Sequence, residues 1–481
     1  MATDVKRQPS KWAVLIGVGL AYLVVLMTSM VSFLVLGLIS IDFDVSLRVV
    51  GWVVIVESLI VAALLMPFGG LADRFGRQRA MHAGVIGFAI GLLLTGLSSS
   101  FEFLILARIV TAIGMTLISA VGTGILVAAF PPEQRGLALG GQMTAIALGA
   151  ALGPLIGGVL LAVVSWRTLF LLLLIPTALT YLVVRRIDDD PSQAAINDEK
   201  FDVSGALLVA TTITLFVLTL NDPFGIGFGS PVTLVSVAVV VALLVIFVRL
   251  ELGKSSPMLD LRFFEIPDFR RVVIIRGVGF VGSSGITILI PFYLLGVRQE
   301  STQTTGAIMA LFALGMLLGA EPAGRAFDRL GARSPMLLGL VIQIAILIAL
   351  ITVDEGSSLM IVAIASLGNG IGQGLWNVPG NSLLMGVIPQ DELGVGGAFS
   401  GVDRTVGSVT GQAGGTAIVT AVMMSGGFDI PLGDLAGMTD AIGSFIEGWR
   451  IASVVFIALT VIALLFAYRI EARPSGNSAS S

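Results

Sequence analysis

Apolar runs of about eighteen residues or more recur from one end of this 481-residue chain to the other. A run of that length crosses the hydrocarbon core of a bilayer as one α-helix. Inside lipid every backbone amide must find its hydrogen bond within the protein, which leaves helices and closed β-barrels as the permitted folds. The runs lack the period-two alternation of barrel strands, so the pattern predicts an all-α polytopic membrane protein. Composition agrees: 56% of residues are hydrophobic and 12% charged, with a mean hydropathy of +1.00, whereas soluble proteins carry about a quarter charged residues.

Fourteen spans are expected, at 12–39, 47–70, 80–98, 102–129, 135–162, 166–186, 203–221, 231–250, 271–296, 303–324, 335–353, 358–387, 394–424 and 449–469. With the N-terminus inside, twenty-one Lys and Arg residues fall on the inner face and four on the outer, while Arg108 and Arg404 fall within spans. That bias predicts a cell (inner) membrane protein with both termini cytoplasmic. The first apolar run is too long for a signal peptide and reads as a retained helix. Polar residues 187–202 read as a cytoplasmic linker, 425–448 as a long outer loop, and 474–481 as a disordered tail.

Several function classes fall away. There is no cysteine and one histidine, His82, so thiol chemistry and a multi-histidine metal site are excluded. No basic tract suits nucleic acid. Gly253-Lys254-Ser255 follows Val248 where a phosphate-cradling loop needs glycine. No cofactor, no metal and no enzymatic activity are expected; the partners are a small-molecule substrate, protons and the lipid bilayer, and the chain is expected to be a monomer.

The chain also repeats itself. The charged turn Gly69-Gly70-Leu71-Ala72-Asp73-Arg74-Phe75-Gly76-Arg77 returns as Gly324-Arg325-Ala326-Phe327-Asp328-Arg329-Leu330-Gly331, an offset of 255. Gly114, Gly122, Pro131, Gly136, Gly149, Gly153 and Gly157 return as Gly372, Gly380, Pro389, Gly394, Gly407, Gly411 and Gly415, an offset of 258. Such duplication implies two copies of one helical bundle. Spans one to six and nine to fourteen make two six-helix bundles, residues 1–186 and 251–473, and spans seven and eight (203–250) are left as an inserted hairpin.

These motifs resemble the major facilitator superfamily, and within it the fourteen-span drug:proton antiporter family. Gly69-x-Leu71-Ala72-Asp73-Arg74-x-Gly76-Arg77 resembles the signature between spans two and three. Gly149-x3-Gly153-Pro154-x2-Gly157-Gly158 resembles the antiporter motif of span five, and Trp166-Arg167-x2-Phe170 the family's sixth span. The resemblance implies an inner latch formed by Gly69, Asp73, Arg74, Gly76 and Arg77 with Asp328 and Arg329; fixing topology is the simpler role for the same charges. It implies a conformational role for the span-five glycines, beside which close helix packing stands as the plain reading. Where the family carries an acid in span one, this chain has Met27.

Charges at membrane depth cost several kcal/mol unless paired, and so mark function. Five stand out as a proton-coupling set: Glu57, Arg108, Glu321, Asp403 and Arg404. Glu57 is expected to take over proton binding by alternating contact with Arg108 or Arg404; a static ion pair is the competing reading. Glu321 reads as a second protonation site or as an interfacial carboxylate. Asn369, Gln373, Asn377 and Asn381 share one face of span twelve, which suits a substrate cavity or hydrogen bonds between helices. Trp376 suits stacking on an aromatic substrate or ordinary packing. The expected function is a proton-coupled exporter of small lipophilic or cationic compounds working by alternating access, or a substrate-specific exporter of a lipid, metabolite or amino acid on the same fold.

Overall fold

A computed structural model describes residues 11–131, 134–186, 203–221, 226, 230–254, 261–387, 393–428, 435 and 438–470. The expected linker 187–202 and tail 474–481 lie outside the described residues, as does part of the expected outer loop. The described residues form helices and turns, without β-strands.

The helices are α1 (Lys11–Phe43), α2 (Leu47–Val50), α3 (Trp52–Phe75), α4 (Arg77–Gly96), α5 (Phe101–Ala129), α6 (Arg135–Leu160), α7 (Trp166–Leu172), α8 (Leu174–Val184), α9 (Val203–Asn221), α10 (Pro231–Leu252), α11 (Pro267–Pro291), α12 (Thr302–Leu330), α13 (Arg333–Ile351), α14 (Leu359–Val387), α15 (Leu393–Ser425) and α16 (Thr439–Tyr468). A π-helical turn, Phe292–Val297, extends α11. Among the described residues, eleven helices are long and apolar enough to cross a membrane; α7 and α8 count there as one, and α3, α9 and α15 occupy the other three expected spans.

Two boundaries differ from expectation in an informative way. The charged turn is mostly helix: α3 runs through Gly69 and Gly70 to Phe75, and the chain reverses at Gly76 (φ 101°). The second copy reverses in the same way at Gly331 (φ 75°), a conformation that other residues adopt only with strain. The last helix begins at Thr439 rather than 449, because Ala441, Phe445 and Ile446 are buried and carry α16 back by more than two turns.

Helices α1 to α8 pack among themselves, as do α11 to α16; α6 against α12 and α3 against α15 join the two sets. At the end opposite the charged turns a single apolar core runs from Val31, Leu34 and Leu36 of α1 to Ile286, Leu289 and Phe292 of α11. At the charged-turn end a separate core around Phe269, Phe280, Trp376 and Phe399 stays within the C-terminal set. Helix α9 sits over the seam between the two sets, where Val217 meets Ile55 and Leu59 of α3 and Val409 of α15. Helix α10 packs on α9 and leaves Leu234, Val235, Leu244 and Leu250 exposed, as a helix facing lipid does.

Candidate functional site

Glu57 of α3 and Arg108 of α5 form an ion pair, with Glu57 4% and Arg108 0% exposed. Helix α1 completes it: Ser29 Oγ donates to Glu57 Oε1 at 3.0 Å, and Arg108 Nη2 donates to Ser32 Oγ at 2.5 Å. The Phe170 ring lies 5.3 Å from the guanidinium. Burying two charges is tolerable only when geometry and hydrogen bonds compensate for lost water, and the two serines supply part of that. Both serines follow Met27, where the resemblance implies a span-one acid, and the carboxylate of this site stands on α3 instead. Arg108 Nε and Nη1 have no hydrogen-bond partner among the described protein atoms.

A second buried cluster lies in the C-terminal set, centred on Arg276 of α11. By its place in the sequence Arg276 belongs with the inner-face charges, but it is 2% exposed and nine residues into its helix. Its Nε lies 3.4 Å from Asp403 Oδ2 of α15, and its Nη1 donates to Asn381 Oδ1 at 2.8 Å. Ser400 Oγ donates to the same Asn381 oxygen at 2.6 Å. Asp403 is thus committed to Arg276.

Arg404 is different. It is exposed although it lies eleven residues into α15, about 16 Å along the helix. No hydrogen bond or ion pair reaches it among the described residues. The group of the N-terminal set within its electrostatic range is the Tyr22 hydroxyl of α1. Tyr22 donates to Ser119 O at 3.0 Å, next to a hydrogen bond of 2.9 Å from Gln142 Nε2 to Thr123 Oγ1. One turn away on α15, a Cβ on Gly401 would sit 3.0 Å from Leu65 of α3. The exposed side of Arg404 therefore looks into the space between the two sets. Of the two arginines expected to meet Glu57, this structure pairs it with Arg108.

The polar face of α14 is spent largely on α11. Asn369 Nδ2 donates to Ser283 O at 3.3 Å, and Gln373 Nε2 to Ser283 Oγ at 3.1 Å. Trp376 is fully buried: its Nε1 donates to Gln343 Oε1 at 2.9 Å, and its ring packs edge-on to Phe280 at 4.9 Å. In this structure Trp376 offers no ring face to a cavity. Asn377 is half-buried, and its Oδ1 has no partner among the described protein atoms. Glu321 is a surface carboxylate paired with Arg325 at i+4, both side chains more than two-thirds exposed.

The motif glycines work as contact surfaces. A Cβ on Gly153 would meet Met27 O at 2.6 Å, and one on Gly157 would meet Val31 at 3.2 Å; Gly149 abuts Leu23 O. The second copy repeats this against α11, with Gly407 on Gly277 O, Gly411 on Val281 O and Gly415 on Gly285 O. Gly158 points the other way, onto Thr302 O of α12 at 2.8 Å, and Gly306 of α12 abuts Pro154 O. At the turns, Gly69 and Gly324 have open space where a Cβ would go, and Arg77 lies against Gly124 of α5. Arg329 sits in the last turn of α12. The side chains of Asp73, Arg74 and Asp328 lie outside the described residues, and with them the expected latch.

At the opposite end, Arg167 ties three segments together. It pairs with Asp42 at 2.7 Å, donates to Ser98 O at 2.7 Å and stacks on Trp166 at 4.3 Å. Trp449 and Arg450 of α16 hold the loop after α13 through Leu350 O and Ile351 O. In that loop Asp354 accepts from Ser357 Oγ, which holds its carboxyl below the usual carboxylate range.

A family profile described as Major Facilitator Superfamily matches residues 18–412 and 273–481. The chain is 28% identical to Riboflavin transporter RibZ of Clostridioides difficile (strain 630), over 78% of this chain and 81% of that one. It is also 28% identical to Multidrug efflux pump LfrA of Mycolicibacterium smegmatis, over 95% of this chain and 91% of that one. Among solved structures, a bacterial homologue of the human lysosomal transporter Spinster, inward-facing and unoccupied, shares the fold with a TM-score of 0.66. That match has 17% identity and covers 96% of this chain and 97% of the other.

Proposed function

The chain belongs to the Major Facilitator Superfamily, and on that premise we propose that it is a proton-coupled exporter of small lipophilic compounds. It is a multi-pass membrane transporter and not an enzyme. In our reading it has fourteen spans, bundles at 1–186 and 251–473, a hairpin at 203–250, and both termini in the cytoplasm of a cell whose inner membrane it occupies. The two bundles rock about a site between them.

The observation that carries proton coupling is the buried Glu57–Arg108 pair. A carboxylate that trades its arginine for a proton changes the charge of the N-terminal bundle, which gives the two access states different proton affinities. Asp403 with Arg276 is a second group of the same kind in the C-terminal bundle. Both acids are committed to arginines, which favours the lipophilic over the cationic part of the expected substrate range. LfrA, named as a multidrug efflux pump, supports the export direction, and RibZ, named as a riboflavin transporter, supports the narrower alternative of one dedicated substrate.

The test is transport of the neutral dye N-phenyl-1-naphthylamine in proteoliposomes under an imposed pH gradient. Wild type should move the dye only while the gradient lasts, and Glu57→Gln should be uncoupled from it. Undiminished gradient-driven movement in Glu57→Gln would remove Glu57 from the mechanism.

A further inference from the structure

Among the described residues, five acidic or basic side chains lie at depth on the helices around the space between the two halves: Glu57, Arg108, Arg276, Asp403 and Arg404. Three are arginines and two are carboxylates. Each carboxylate is matched to one arginine within its own half, Glu57 to Arg108 and Asp403 to Arg276. The charge left over is the Arg404 guanidinium, which is also the one of the three that is exposed.

An unpaired guanidinium at that depth is tolerable while its surroundings hold water. Alternating access closes the halves around the site and removes that water. Closure over Arg404 alone would trap an uncompensated cation, at a cost of several kcal/mol. The opposing half's Tyr22, within electrostatic range of Arg404, is a neutral phenol whose hydrogen is already given to Ser119 O. Gln142 and Thr123 bond to each other. Nothing described on that wall brings a counter-charge.

We propose that Arg404 is the anchor for an anionic group carried on a lipophilic substrate, the substrate supplying the negative charge that closure of the two halves requires. This inference rests on the exporter reading above and narrows it. The guanidinium fork suits a carboxylate, sulfonate or phosphate, each of which accepts two parallel N–H donors. The apolar body of the substrate meets α3 near Leu65.

The experiment uses the full chain in nanodiscs of zwitterionic lipid and two probes that share one ring system, naphthalene-1-sulfonate and naphthyltrimethylammonium. Equilibrium dialysis on wild type should show the sulfonate held about tenfold or more tightly than the cation, the scale of one charge-assisted bidentate contact. Arg404→Gln should abolish that preference, and Arg404→Lys, which keeps the charge but not the fork, should retain part of it. Unfolding temperatures of both variants establish that they fold, and Arg404→Lys carries the test if Arg404→Gln does not. Equal binding of the two probes by wild type, or a preference that survives Arg404→Gln, would overturn the proposal. In that case continued pH-driven movement of N-phenyl-1-naphthylamine leaves the exporter reading standing. Absence of both binding and movement of any probe removes that reading and this inference together. Displacement of the sulfonate by anionic phospholipid supports the same ligand chemistry, with a lipid headgroup as its source.

Discussion

Tyr22 and Arg276 occupy equivalent places in the two halves of the molecule. Gly122 lies against the Tyr22 ring and Gly380, its repeat mate, against the Arg276 side chain. Beside Tyr22 stand Thr123 and Gln142, and beside Arg276 stand their mates Asn381 and Ser400, each pair joined by a hydrogen bond. One scaffold thus holds a neutral phenol in the first half and a cation with its own carboxylate in the second. The duplication has kept the packing and diverged in charge.

The Glu57–Arg108 pair should behave as a coupled unit. Arg108→Gln alone leaves a buried carboxylate without its partner, and Glu57→Gln alone leaves a buried guanidinium; each should cost about 3–5 kcal/mol of stability. The double replacement should cost less than the sum of the two, a coupling visible in a double-mutant cycle of unfolding measurements. Additive losses would mean that the pair contributes nothing as a pair.

Alanine at Gly153 should destabilise the chain by about 1–3 kcal/mol, because the new methyl would press on the backbone of α1 rather than on a side chain that can turn away. Alanine at Gly411 should do the same against α11. Gly414→Ala is the control, since its Cβ would meet open space. Apparent melting temperatures in detergent distinguish these cases, and equal shifts for all three would discard the contact explanation.

Gly76 and Gly331 should be intolerant of alanine for a backbone reason. Both hold positive φ with extended ψ, a region that residues with a Cβ enter at a cost of about 1–3 kcal/mol. Gly69→Ala and Gly324→Ala should leave thermal stability unchanged, since both sites are open. A transport defect in Gly69→Ala without a stability loss would place its contact in the other access state.

Trp376→Phe should lower stability and leave the apparent KM for a dye unchanged. The replacement removes the indole N–H and leaves Gln343 Oε1 buried without that donor, a loss of about 1–3 kcal/mol. A raised KM at unchanged melting temperature would instead return Trp376 to the substrate path.

The helical class, the duplication and the buried pair were legible because each leaves a one-dimensional trace. An acid and a base inside apolar runs stand out on their own, and so Glu57 and Arg108 were found. Arg276 was not, because it follows Arg270 and Arg271 near the start of its helix and reads as the end of a surface cluster. The periodic polar face of α14 was legible as a face, but not what it meets. Its partners are Ser283 and Thr287 on α11, small hydroxyls that an apolar run conceals. The early start of α16 was hidden by Thr439, Asp440, Ser444 and Glu447, which interrupt the apolar run while Ala441 and Phe445 beside them are buried. The latch reading rests on Asp73, Arg74 and Asp328, whose charge is plain in the sequence and whose contacts are a property of the tertiary arrangement alone.

Gly157 and Gly158 are consecutive, yet the first serves α1 in its own bundle and the second serves α12 in the other. A helix gripped on two sides in this way cannot roll about its axis without losing one grip. It can tilt. Since Thr302 and Gly306 begin α12 and Gly158 ends α6, the grip lies at the far tip of both helices. The motif thus pins the rims of the two bundles to each other at the end opposite the charged turns.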